Sequence, residues 1–148
     1  MTLIRTLLAG AALALGVAGL AGLAPEAKAQ GCDTATYDHN GSRMLIHACG
    51  SGGFTIEYDR PRQGLAAQGV RPGTVLFQGS FWESGGPNLR RVRGTAHLFK
   101  RGCNPAGYEV DGYWMEDNTL EMSGRAPIRK NGCSISGTRN DDLLFTPY

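Results

Sequence analysis

The chain has 148 residues, with 15 Lys and Arg, 13 Asp and Glu and a formal net charge of +2. That length supports one hydrophobic core once a leader is removed, and it excludes two domains. The near balance of charge excludes a global field that would drive the chain to nucleic acid or to a membrane surface.

In chain order, a basic start ending at Arg5 precedes an apolar run from Thr6 to Ala24 and a polar stretch ending Ala27-Lys28-Ala29. This is the layout of a secretory signal with an A-x-A cleavage site, so residues 1–29 are expected to be a signal peptide and 30–148 a secreted domain. A retained membrane anchor is the alternative, but small residues dominate the run and the cleavage site follows it directly. Acylation at Cys32 is disfavoured because Ala29-Gln30-Gly31 lacks the leucine of a lipobox. No transmembrane segment is expected after processing, and the protein should be periplasmic or secreted.

Asn40-Gly41 is the strongest two-residue hairpin signal, flanked by Thr34 to His39 and Ser42 to Cys49. With these two residues at the centre of a type I′ turn, opposed residues have numbers summing to 81, which sets Asp38 against Arg43, Tyr37 against Met44 and Cys32 against Cys49. Counting outwards from His39 and Ser42, the two cysteines fall on a non-hydrogen-bonded pair, where Cα atoms approach to about 4.5 Å, close enough for a disulfide. An exported chain pairs its cysteines, and elimination leaves Cys103 with Cys133.

Further strands are expected over Phe54 to Asp59, Thr74 to Trp82, Arg91 to Lys100, Tyr108 to Met115, Thr119 to Ala126, and Ser134 to Asn140 with a tail through Phe145. Apolar residues at helical spacing never extend beyond two turns. Gly79, Gly94, Gly112, Gly124 and Gly137 each follow an apolar residue by two positions, which reads as a row of bends that lets a sheet coil and close. The fold expected is all-β: a single small antiparallel β-barrel or coiled sandwich of about eight strands with two disulfides.

If the strands run up and down, one end collects the Asn40-Gly41 turn, the connection from Arg60 to Gly73, the loop from Arg101 to Gly107 and the loop from Pro127 to Cys133. The second disulfide then joins two loops of that end. The same end carries Arg60, Arg62, Arg71, Lys100, Arg101, Arg129 and Lys130, whereas the opposite end carries Glu83, Glu116 and Asp117, partly offset by Arg90 and Arg91. A rim of fixed cations suits carboxylates or phosphates. Solvated strand ends that discourage edge pairing are the competing explanation.

Other chemistry is weakly supported. His39, His47 and His97 lack metal-ligand spacing. Ser42, Ser51 and Ser80 lack a nucleophile-elbow context, and Gly50-Ser-Gly-Gly53 lacks the helix and lysine of a phosphate loop. Glu57 with Asp59 and Glu109 with Asp111 are carboxylate pairs that could project from one strand face, the minimum a glycosidase would need. Trp82, Tyr113 and Trp114 could stack on sugars, although alternation buries one of Tyr113 and Trp114. No cofactor or metal is expected.

The segments Tyr37-Asp-His-Asn-Gly-Ser42, Tyr58-Asp-Arg-Pro-Arg62, Gly69-Val-Arg-Pro-Gly-Thr-Val-Leu-Phe77, Gly94-Thr-Ala96 and Gly124-Arg-Ala-Pro127 with Cys133 resemble an uncharacterised secreted domain of alphaproteobacteria, in some members appended to caspase-like peptidase domains. The resemblance spans Thr36 to Phe145. It implies a bacterial envelope setting and a binding or targeting role, and it carries over no catalytic residue.

The function expected is therefore a non-enzymatic binding or envelope-accessory module whose basic rim contacts peptidoglycan, lipopolysaccharide or an envelope protein, with no nucleic-acid partner. The alternatives are an inhibitor of lysozyme or another hydrolase, and a hydrolase built on a carboxylate pair.

Overall fold

A computed structural model describes residues 31–50, 52–86 and 89–148. The expected signal peptide lies outside the described residues. Eight antiparallel strands close into a barrel in sequence order: β1 (Cys32–His39), β2 (Ser42–Cys49), β3 (Gly53–Arg60), β4 (Val75–Gly86), β5 (Leu89–Leu98), β6 (Ala106–Met115), β7 (Leu120–Arg129) and β8 (Ile135–Pro147). Among the described residues no helix is long and apolar enough to cross a membrane.

The β1–β2 register follows from the Asn40-Gly41 turn, with both residues at positive φ and pairs running from His39↔Ser42 out to Cys32↔Cys49. Cys32 and Cys49 are bonded across a Cα separation of 4.2 Å, and Cys103 is bonded to Cys133. Two disulfides are the covalent chemistry of an oxidising, extracytoplasmic compartment.

Alternation fixes what faces inward. Met44 and Ile46 of β2, Phe54, Ile56 and Tyr58 of β3, Val92 and Ala96 of β5, Val110 of β6, Leu120 and Met122 of β7, and Phe145 of β8 are all buried in one core. Four of the five strand glycines share a cause. A Cβ on Gly79, Gly94, Gly112 or Gly124 would overlap backbone of the neighbouring strand, so these positions permit close inward approach where β4 to β7 coil. Gly137 departs from the pattern. It has open space around it and sits at the irregularity where Ile128↔Gly137 gives way to Arg129↔Ile135.

Two other expectations change. The connection from Arg60 to Gly73 contains a short helix, α1 (Gln63–Ala67). It is held by Leu65, packed against the core, and by the buried Val70, whose N–H donates to the Leu65 carbonyl at 3.2 Å. The final strand does not end at Asn140. It continues unbroken to Pro147, because its polar run Arg139-Asn-Asp-Asp142 pairs with Gly124 to Ala126 and Ser123 of β7.

The seams are unequal. β5 and β6 pair from Leu89↔Met115 to Leu98↔Ala106, whereas β1 meets β8 only at Tyr37↔Pro147 and Asp38↔Thr146. Two contacts lengthen that closing seam: the Tyr148 N–H donates to the Thr36 carbonyl at 3.3 Å, and His39 Nδ1 donates to the Leu144 carbonyl at 2.8 Å.

Candidate functional site

The up-and-down order places the β1–β2 turn and the β3–β4, β5–β6 and β7–β8 connections at one end, here the rim. The Cys103–Cys133 bridge ties the last two together. All seven predicted rim cations lie on these connections or the strand ends beside them, but they divide into two groups.

Arg71, Lys100 and Arg129 are turned to backbone carbonyls. Arg71 donates to Ala66 and Val70, Lys100 to Lys130 and Gly132, and Arg129 to Cys133 and Asn104. These three neutralise orphan carbonyls of loops and hold the rim in shape. Arg60, Arg62, Arg101 and Lys130 are exposed, and among the described residues their side chains have no ion-pair or hydrogen-bond partner. These four cations outnumber the rim's unpaired carboxylates, Asp38 and Asp141, and so give a local positive field on a nearly neutral molecule. Nothing in the sequence separates the two groups, because the loops' carbonyls become accessible to Lys100 and Arg129 only after the barrel closes.

Inside the rim lies a second, polar feature that spans strands far apart in sequence. His39, Tyr58, Tyr108 and Asp141 line a cavity of about 140 Å³, with Arg62 at its lip. The Tyr108 hydroxyl donates to Asp141 Oδ2. His39 stacks on Phe145 with ring centroids 4.6 Å apart, and its bond to the Leu144 carbonyl fixes the proton on Nδ1. Burial lowers the His39 pKa below 6.5, opposed by that hydrogen bond and by the charges of Asp141 and Asp38. Burial also pushes the Tyr58 phenol up to about 12 and raises that of Tyr108, where the hydrogen bond to Asp141 adds to the effect. Both phenols are thus neutral donors at any physiological pH.

The sequence signalled part of this cluster. Tyr58 shares an inward face with Phe54 and Ile56, as alternation predicts. Asp141 was missed because it falls in a polar run with no strand signal of its own.

The carboxylate pairs lie outside the barrel, and three of their four members are engaged. Glu57 is 3.2 Å from His47 Nε2, Asp59 pairs with Arg43, and Glu109 accepts from the Thr95 hydroxyl at 3.1 Å. Of the aromatic candidates, Trp114 turns inward against Tyr37, Phe54 and Phe81, while Tyr113 and Trp82 stay outside. Arg91 and Arg93 lie over the Trp82 ring at 5.4 and 5.0 Å from its centroid. Cross-strand pairing lines up Arg93, Asp111, Ser123 and Asp142 on the outer wall, beside Arg91, Tyr113, Glu121 and Leu144. Asp111, Glu121 and Asp142 make no ion pair among the described residues.

The fold is compatible with a non-enzymatic role. Compared with known proteins, the chain matches no family model, no curated protein and no solved structure. The resemblance drawn above therefore rests on the quoted segments alone.

Proposed function

We propose that this is a periplasmic or secreted, non-enzymatic binding module that contacts an anionic envelope component, such as peptidoglycan or lipopolysaccharide, through its basic rim. One observation supports this above the others: Arg60, Arg62, Arg101 and Lys130 stand at the same end with no acidic partner among the described residues. The resemblance to a secreted alphaproteobacterial domain points the same way. Retention on peptidoglycan sacculi and on lipopolysaccharide, measured at rising salt, tests it. Wild type should be released as salt screens the field, and Arg101→Ala with Lys130→Ala should be retained about tenfold less at low salt. These two positions are chosen because Lys100 and Arg129 hold loops. Equal, salt-insensitive retention of both proteins would overturn the proposal.

A second reading, an inhibitor of a basic hydrolase such as lysozyme, is favoured by the unpaired Asp111, Glu121 and Asp142 on the outer wall beside Tyr113 and Leu144. A cell-lysis assay separates the two. Inhibition that Asp111→Asn with Asp142→Asn abolishes would favour this reading over the rim, and lysis at the uninhibited rate would exclude it.

A further inference from the structure

Most polar groups on the inner wall of the rim cavity are satisfied within the protein; among the described residues the buried Nδ1 of His97, which also lines it, is not. His39 reaches the Leu144 carbonyl, Tyr108 reaches Asp141, and Ser42 Oγ accepts from the Arg62 backbone N–H at 3.0 Å. Tyr58 is only 2% exposed and lines the cavity, yet among the described residues its hydroxyl makes no hydrogen bond. Unlike His97 Nδ1, that hydroxyl is not sealed in: it opens onto the cavity with its capacity to donate and accept unused by the protein.

That space has a size, a wall chemistry and a direction of charge. At about 140 Å³ it is close to the volume of a dry engineered cavity that admits benzene, so one six-membered ring fits. Leu76, Leu98 and Phe99 give it apolar walls suited to a flat ring. Asp141, inside, repels an anion and accepts a donated hydrogen bond; Arg62, at the lip and unpaired among the described residues, favours one.

From this order we infer that the cavity is a binding site for a small phenolic carboxylate that enters hydroxyl first. Its hydroxyl accepts from Tyr58 and donates to Asp141, its ring lies against the leucines, and its carboxylate meets Arg62. The site goes beyond the rim reading and shares with it only Arg62.

The test uses the processed chain with both disulfides formed and 4-hydroxybenzoate as probe, followed by calorimetry and by chemical shifts of the cavity residues. Saturable binding is expected, with benzoate and 4-methylphenol each about tenfold weaker, because each lacks one of the two anchors. Tyr58→Phe should weaken 4-hydroxybenzoate about tenfold without lowering the melting temperature, while Arg101→Ala with Lys130→Ala should bind it as wild type does. Loss of envelope retention and loss of probe binding are thereby separated. Absence of saturable binding, equal binding by Tyr58→Phe, or tighter binding of a sugar acid such as glucuronate would each overturn the inference.

Discussion

The two halves of the barrel interior are built on the same alternation but filled differently. At the end away from the rim, Phe54 touches Phe77, Phe81 and Trp114 at centroid distances of 5.0, 5.1 and 5.6 Å, and the Arg90 guanidinium closes the stack 3.5 Å over the Phe81 ring. At the rim, the corresponding inward positions carry His39, Tyr58, Tyr108 and Asp141 around a void. These rings pack closely on one another, so the lower half serves stability. The upper half keeps polar groups and space that close packing would have removed.

The largest test of this contrast is Gly112→Ala. The new Cβ would overlap the Glu121 carbonyl, a backbone group that cannot yield without moving β7, so a loss of about 4 kcal/mol or failure to fold is expected in denaturant titrations. Gly64→Ala, whose Cβ meets only Arg62 Nη1 at 3.9 Å, is the control and should not destabilise.

Next in size is a pair of substitutions, one in each half. Phe54→Ala should cost about 3–4 kcal/mol through the cavity it opens among three rings. Tyr58→Phe removes an unpartnered hydroxyl and should change stability by less than about 0.5 kcal/mol. Comparable losses from both would erase the distinction between a packed half and a receptive one.

The smallest effect concerns pH. The folded state holds His39 neutral with a lowered pKa, so below about pH 6.5 the unfolded chain binds a proton that the folded chain resists. The stability linked to this residue is fully present above that pH and is lost as the pH falls towards the lowered folded value. Unfolding measured between pH 7 and 5.5 should show a slope that His39→Gln flattens. An unchanged slope would assign the dependence to other groups.

How much was legible in the sequence depended on how far a signal had to reach. Asn40-Gly41 sets its own register, so Cys32 found Cys49 and the rest followed by elimination. The spaced glycines carried the closure of the sheet, although Gly137 sits in open space and shows that the spacing alone over-reads. Lys100 and Arg129 looked like their exposed neighbours because a sequence shows charge but not which carbonyls it will neutralise. The cavity was the least visible feature: β1, β3, β6 and β8 each bring one of His39, Tyr58, Tyr108 and Asp141 to it, and the strand order that gathers them is a property of the closed barrel.

The short β1–β8 seam gives the molecule a natural line of opening. Cys32–Cys49 sits at the far end of β1 from the Asn40-Gly41 turn, so β1 and β2 are fastened to each other at both extremities. A breach along the seam would swing a two-stranded leaf hinged on the β2–β3 edge, instead of peeling away a single strand. The latch of that leaf is the His39 bond to Leu144, which lies on the wall of the cavity. Amide exchange should therefore be fastest at the Tyr148 amide, and whatever occupies the cavity would hold the door from inside.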